Sequence, residues 1–142
     1  MGYFQKNARE AVGVGLADWK GQSRVDVRIY IQPLGEAELV ATKKGIAIPL
    51  KIFPEVMKGV RDLAEVMGPE KVVARVRKTE KEEIRIGVNT YRGTRLIYVR
   101  SFVSVDDDGE RWNPTQKGVS LRVDQYPQLL ELLEEVEKRI DG

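Results

Sequence analysis

Two segments of the chain share one pattern: Val12-Gly-Val-Gly-Leu-Ala-Asp-Trp-Lys-Gly21 and, 72 residues later, Ile84-Arg-Ile-Gly-Val-Asn-Thr-Tyr-Arg-Gly93. Apolar residues match apolar residues, an aromatic residue matches an aromatic one, a base matches a base, and glycine ends both segments. Within each segment, apolar side chains recur at every second position, which predicts a strand with one buried face. The closing glycine tolerates positive φ and predicts a tight turn.

Further blocks repeat in the same order at nearly the same distance. They are Val25–Ile31 with Ile97–Val103, Thr42–Ile48 with Thr115–Leu121, and Phe53-Pro54 with Tyr126-Pro127. Four ordered blocks at an almost constant offset indicate an internal duplication. Gly68-Pro69 is a helix-stop signal and divides the chain into halves 1–68 and 71–142. Because each half is too short to bury much core alone, we expect the halves to pack on each other as a pseudo-dimer.

Each half predicts four strands followed by one amphipathic helix. We expect two strands from the paired blocks above, a third near Glu36–Ala41 or Glu110–Asn113, and a fourth at Ile46–Leu50 or Val119–Val123. Apolar residues at three- and four-residue spacing then predict helices that begin at Phe53 and Tyr126, each with proline in its first turn. The predicted fold class is α+β: two tandem ββββα repeats, with antiparallel sheets and one helix each.

Composition excludes several classes of function. The 142 residues include no cysteine and no histidine, so disulfides, thiol nucleophiles, Ser-His-Asp triads and most zinc sites are ruled out. We expect no cofactor, no metal and no enzymatic activity. The sequence shows no apolar run long enough for a membrane helix and no signal-peptide stretch. We therefore expect a soluble cytoplasmic protein, associated with the nucleoid if the source is prokaryotic.

The basic residues are segregated although the net charge is only +2. Between Arg85 and Arg100 there are four arginines and no acid, whereas Asp106-Asp107-Asp108 and the last helix gather the acids. On the second strand of each half, bases and aromatics alternate with the buried residues, as Arg28 and Tyr30 do beside Val27 and Ile29. Such a face combines a local positive field with stacking surfaces, which suits single-stranded nucleic acid.

The ordered set of blocks resembles the transcriptional positive cofactor four family, whose members have a ββββα fold and bind single-stranded DNA as homodimers. Residues 84–139 match best, through Tyr91-Arg92-Gly93, Val99–Phe102 and Gln116–Leu121, and residues 12–66 match more loosely. Plant Whirly and purine-rich-element-binding proteins use related repeats. This chain departs from the family in holding two copies and in having Ile31 and Val103 where members often carry tryptophan, a contact that Trp112 can replace.

The resemblance implies a role for each matched position. The turn aromatics Trp19 and Tyr91 correspond to residues that stack on bases, the strand arginines Arg28 and Arg100 to residues near phosphates, and Lys44 and Lys117 to the lysine before glycine. The candidate nucleic-acid-binding residues are Trp19, Lys20, Arg24, Arg28, Tyr30, Lys43, Lys44, Arg85, Tyr91, Arg92, Arg95, Tyr98, Arg100, Phe102, Trp112 and Lys117.

The expected function is therefore single-stranded DNA binding of the coactivator type, with transcription or replication proteins as partners and the chain acting as a monomeric pseudo-dimer or a further homodimer. One alternative is RNA, because stacking and phosphate contacts serve RNA equally well. Another is a protein-interaction module that uses the aromatic face as its contact patch. The aromatics also have a structural reading as turn or interface packing, and the arginines as ion-pair partners of Asp106–Asp108. The acidic triplet itself lacks the ligand spacing of a calcium loop and predicts a solvated hairpin turn.

Overall fold

A computed structural model of the chain describes residues 1–35, 37–66 and 68–141. Within these residues, eight strands and two α-helices occur in the order ββββαββββα, as the duplication predicts. The first half comprises β1 (Gly2–Gln5), β2 (Glu10–Trp19), β3 (Gln22–Ile31), β4 (Val40–Pro49) and α1 (Phe53–Asp62). The second comprises β5 (Lys71–Thr79), β6 (Glu82–Tyr91), β7 (Thr94–Ser104), β8 (Trp112–Arg122) and α2 (Tyr126–Asp141).

Each half forms its own antiparallel sheet, ordered β1-β2-β3-β4 in the first unit and β5-β6-β7-β8 in the second. The two central hairpins turn at equivalent places. Lys20 and Gly21 have φ of 50° and 78°, and Arg92 and Gly93 have φ of 51° and 79°. Two central residues with positive φ match the twist of the flanking strands and keep the hairpins tight. The predicted turns are therefore confirmed.

The predicted strand positions are partly wrong, although the fold class is confirmed. The expected third and fourth strands are one continuous strand, β4 or β8, which runs through a change of register opposite Arg28 or Arg100. The four-strand count is completed instead by β1 and β5, which precede the predicted first strands. These strands are edge strands with few buried residues, so their apolar alternation is weak. Glu36, where the third strand was expected to begin, lies outside the described residues.

The helices are exchanged between the units. α1 packs mainly on β5 and β6 of the second sheet, whereas α2 packs on β1 and β2 of the first. Gly59 of α1 lies so close to Ala74 and Ile86 that a Cβ atom there would come within 2.8 Å of both side chains. The buried residues of the two units form one hydrophobic cluster. The two sheets and two helices thus make one pseudo-symmetric body, in which each unit completes the other.

Polar contacts also join the units. The Tyr126 hydroxyl donates a 2.6 Å hydrogen bond to the carbonyl oxygen of Val60. Burial raises the pKa of this hydroxyl, so it remains a donor at neutral pH. The Gln125 side chain donates to the carbonyl of Lys6 at 2.7 Å. Across the described part of the chain, no helix has the length and apolar character of a membrane span.

Candidate nucleic-acid interface

The strand arginines hold a bulge in the neighbouring strand. Nη1 of Arg28 donates to the Thr42 carbonyl at 2.8 Å, and Nη1 of Arg100 donates to the Thr115 carbonyl at 2.9 Å. The threonine hydroxyls in turn accept the backbone N–H groups of Lys44 and Lys117. The two arginines therefore fix the segments that present the family-matched lysines, in the same way in both units.

The two arginines differ in their counter-charge. Arg28 forms two hydrogen bonds of 3.0 and 3.1 Å to the Asp26 carboxylate, and these bonds raise its pKa. Arg100 instead bonds the Ser120 hydroxyl at 3.0 Å and has no carboxylate partner among the described residues, and burial lowers its pKa. Asp26 is replaced by Tyr98 in the second unit. An uncompensated guanidinium is more available to an anionic ligand than one paired with a carboxylate.

A row of three arginines crosses the outer face of the second sheet. The strand register places Arg75 opposite Arg85 and Arg85 opposite Arg100, all pointing away from the core. Like charges directly opposite on neighbouring strands destabilise a sheet. The row therefore concentrates positive charge on this face of the second sheet.

Aromatic rings lie among these arginines. The guanidinium carbon of Arg85 lies 4.3 Å from the Phe102 ring centre, and that of Arg77 lies 5.1 Å from the Trp112 ring centre. These are cation–π contacts, in which the ring attracts the guanidinium charge over its face. We call this surface the arginine–aromatic face. It consists of Arg75, Arg77, Glu83, Arg85, Arg100, Phe102 and Trp112.

One buried carboxylate partly neutralises this face. The Glu83 side chain is 3% exposed and accepts hydrogen bonds of 2.6 Å from Nε of both Arg75 and Arg85. Burial alone would raise the pKa of Glu83, but the bonds from the two arginines outweigh it, so the pKa lies below its ordinary value. With four arginines and one carboxylate, the arginine–aromatic face carries a net charge of +3.

Arg75 and Arg77 were missed by the sequence analysis because β5 was not recognised as a strand. The available signal was the short alternation of Ala74 and Val76 with Arg75 and Arg77, at the same 72-residue offset from β1. The pattern was too short to stand apart from its charged surroundings.

The turn aromatics are exposed at the two hairpin tips. Trp19 is 55% exposed and Tyr91 is 59% exposed. The Lys20 ammonium lies 4.6 Å from the Trp19 ring centre, and Arg92 lies 5.2 Å from that of Tyr91. Each tip therefore offers a ring beside a cation, which are the two groups that contact a base and its phosphate.

A basic cavity of about 640 Å³ lies at the seam between the units. It brings together residues of both halves, and its volume falls within the range of ligand pockets. Its cationic and aromatic lining is Trp19, Arg24, Arg28, Lys43, Lys78 and Lys117. Lys78 was not predicted; burial lowers its pKa despite the carboxylate of Glu82 at 3.8 Å. A smaller cavity of about 270 Å³ contains Lys6, Lys44 and Arg100.

Three predicted residues lie in contacts within the protein. Tyr98 is 9% exposed and packs over Gly87, where an added Cβ would meet its hydroxyl at 2.6 Å. Arg95 donates to the carbonyls of Val66 and Gly68, and so holds the connection between the units. Tyr30 packs edge-on against the ring of Tyr3 in the first sheet.

The acidic triplet forms a turn. Asp106 accepts hydrogen bonds from the backbone N–H groups of Glu110 and Arg111 and so closes the connection from β7 to β8. Over the described ranges, no group of three or more acidic side chains is placed to hold a metal ion. Asp107 pairs with Lys81 at 3.5 Å and Asp106 with Arg111 at 3.7 Å. Among the described residues, the triplet therefore forms no ion pair with the predicted arginines.

Comparison with known proteins relates the second unit to a known family. Residues 78–132 match the sequence model of the family described as Transcriptional Coactivator p15 (PC4). A PC4 homolog from Burkholderia pseudomallei, solved in an orthorhombic crystal form, is 34% identical over 51% of this chain and 96% of its own, with a TM-score of 0.43. The chain belongs to the PC4 family. Membership makes it a nucleic-acid-binding protein of the transcription-coactivator type.

Other PC4 structures match in the same manner. The tetragonal form of the Burkholderia protein gives 37% identity over 48% of this chain and 97% of its own, with a TM-score of 0.43. A bacteriophage T5 homolog of the eukaryotic coactivator PC4, implicated in recombination-dependent DNA replication, is 25% identical over 51% of this chain and 92% of its own, with a TM-score of 0.37. No curated protein matches the chain significantly.

Proposed function

We propose that this protein binds single-stranded DNA through the arginine–aromatic face and the two hairpin tips, without enzymatic activity. The observation that carries the proposal is the row of Arg75, Arg85 and Arg100, set among Phe102 and Trp112, in a member of the PC4 family. Arginines bind phosphates and release counterions, and the rings stack on bases. Stacking requires open base faces, which a single strand offers and a duplex conceals.

The proposal extends to the organisation of the chain. Residues 1–68 and 71–142 are two PC4-like copies, so one chain supplies the two units that the family brings together as a homodimer. The exchanged helices and the shared core support this organisation. The proposal that the first unit is a PC4-like copy is supported by the structure and by the internal repeat. The residues that match the family model, 78–132, all lie in the second unit.

The test is fluorescence anisotropy with labelled single-stranded and duplex DNA of equal length, over a salt series. We expect tight, salt-sensitive binding that favours the single strand. Because stacking contributes about 1–3 kcal/mol per base, Trp19→Ala/Tyr91→Ala should weaken binding by roughly tenfold or more without changing the salt dependence.

A matched variant separates charge from stacking at the same tips. Lys20→Asn/Arg92→Asn removes the two cations while asparagine tolerates the positive φ of both positions. It should reduce the salt slope by up to about 1.4, at roughly 0.7 per phosphate contact. Equal affinity for single strand and duplex, or no effect of the aromatic substitutions, would show that the family membership reflects the fold alone. Competition between DNA and RNA oligomers of the same sequence decides between the two nucleic acids.

A further inference from the structure

The two units do not present equivalent outer faces, although their backbones correspond residue by residue. In the second unit the row across the sheet is Arg75, Arg85 and Arg100. The equivalent row in the first unit, at the 72-residue offset, is Tyr3, Gly13 and Arg28. Two of the three arginines are thus absent from the first sheet.

The remaining arginine of the first row is neutralised. Arg28 is paired with Asp26 on the same face, whereas the residue equivalent to Asp26 is Tyr98. Gln5 stands where the second unit has Arg77, and Ala11 where it has Glu83. Arg24 lies on the same face as Arg28 and has the uncharged Leu96 as its equivalent. The outer faces of β1–β3 and β5–β7 therefore carry net charges of +1 and +3, respectively.

Tyrosine rings fill the first face. The rings of Tyr3 and Tyr30 meet edge to face with centres 5.3 Å apart, and the Tyr30 hydroxyl lies 3.1 Å from Sδ of Met1. Both rings cover Gly13, where an added Cβ would lie 2.5 Å from Tyr30. The space that the Arg85 side chain occupies in the second unit is therefore taken up by packing in the first.

The cations at the seam adjoin the second face. Thr115 and Gln116 line both the smaller cavity, which contains Arg100, and the seam cavity, which contains Lys117 and Lys78. A strand that lies along the arginine–aromatic face can continue past these two residues into the seam. The seam cations come from both units: Arg24, Arg28 and Lys43 from the first, and Lys78 and Lys117 from the second. A strand that continues from the arginine–aromatic face reaches all of them as part of the same track.

From these differences we infer that the protein binds one nucleic-acid strand, on a principal face formed by the second unit, and that the first unit's outer face is not a second equivalent site. This inference rests on the proposed function and deepens it. Since the phosphate backbone supplies most of the affinity through cation contacts, a face of net charge +3 binds more tightly than one of net charge +1.

The test exchanges equivalent residues between the units. Arg75→Tyr/Arg77→Gln gives the second face the residues of the first, and Tyr3→Arg/Gln5→Arg gives the first face those of the second. Lys51→Gln/Lys58→Gln removes the same charge as the former pair from an exposed loop and from α1. Each protein is titrated against a labelled 20-nucleotide oligothymidine, with stoichiometry, affinity and salt slope measured, and its folding is checked by thermal melting.

We expect the wild type to saturate at one oligomer per chain. Arg75→Tyr/Arg77→Gln should weaken binding at least about tenfold and lower the salt slope by about 1.4, whereas the Lys51/Lys58 control should stay within about twofold. Tyr3→Arg/Gln5→Arg should add binding beyond one oligomer per chain. Two equal sites in the wild type, or equal effects of the first variant and the control, would overturn the inference and leave single-strand binding standing. Absence of any binding by the folded wild type would overturn the proposed function and the inference together.

Discussion

Substituting Glu83 by glutamine should lower stability and raise affinity for nucleic acid at once. Glu83 accepts three hydrogen bonds: from Arg75 at 2.6 and 3.2 Å and from Arg85 at 2.6 Å. Glutamine keeps the shape of the side chain but removes its charge and one of the two acceptor oxygens. Arg75 is 53% exposed and regains water, whereas Arg85 is 17% exposed and loses its counter-ion in a partly buried position.

The expected loss in the free energy of unfolding follows from the difference in exposure between Arg75 and Arg85. Charge-assisted bonds contribute about 1.5–3 kcal/mol each when buried, and the share of Arg75 is strongly reduced by solvent. We therefore expect a loss of about 2 kcal/mol in the free energy of unfolding, and a drop in Tm of roughly 4–8 °C for a chain of this size. Because the pKa of Glu83 is lowered in the folded state, the wild type's advantage is complete above about pH 4.5 and declines as the pH falls through that lower pKa.

Although Glu83→Gln lowers stability, we expect it to raise the affinity for nucleic acid. Without Glu83, the charge of the arginine–aromatic face rises from +3 to +4, and the guanidinium groups of Arg75 and Arg85 become free for phosphates. The salt slope should steepen by about 0.7, and affinity for a single strand should rise several-fold at low salt. Urea unfolding and fluorescence anisotropy on the same preparation measure the two effects.

A matched control separates local release from net charge. Glu80→Gln removes one negative charge three residues away, at an exposed side chain that has no ion pair among the described residues. It should leave stability within about 0.5 kcal/mol and change affinity less than Glu83→Gln. Weaker binding by Glu83→Gln, at a stability that matches the control, would refute the view that this carboxylate holds back binding arginines.

Two further predictions concern the frame of the site. Gly118→Ala should destabilise the protein by more than about 2 kcal/mol, because its Cβ would lie 2.6 Å from the Cα of Arg100. At Gly45 an added Cβ meets side-chain atoms, so Gly45→Ala should lower the free energy of unfolding by less. Urea unfolding of the two variants compares these losses. Tyr126→Phe removes the 2.6 Å bond to the Val60 carbonyl between the helices and should cost about 1–2 kcal/mol, with Tm as the measure; an unchanged Tm would show that water replaces this bond.

Local patterns were enough to predict the duplication, the hairpin turns and the fold class. Period-two alternation and a turn glycine act over a few residues, so β2, β3, β6 and β7 were found in their correct places. The edge strands β1 and β5 were missed because only a few of their side chains are buried. The exchange of helices could not be predicted from the sequence. The apolar stripe of α1 fits either sheet, and only tertiary packing determines which sheet it covers.

The candidate site shows a similar division. The sequence predicted that Arg28 and Arg100 share a position and a face, and the structure places them so. The sequence also contains the signal that only Arg28 has a carboxylate partner. Residues two apart on a strand point the same way, so Asp26 lies beside Arg28. The partners of Arg95 and the approach of Trp112 to Arg77 depend on chain segments distant in sequence, and only the fold brings them together.

Duplication within one chain explains how such unequal faces can coexist with a symmetric backbone. In a homodimer both faces come from one sequence, so a substitution that favours or harms binding appears on both. Here Tyr3 and Gly13 could diverge from Arg75 and Arg85 without loss of the arginine row of the second unit. The second unit nevertheless needs the first unit to fold, because helix α1 of the first unit covers the inner side of the sheet that carries the arginine row. Its tyrosine face is free to vary, but its core is not.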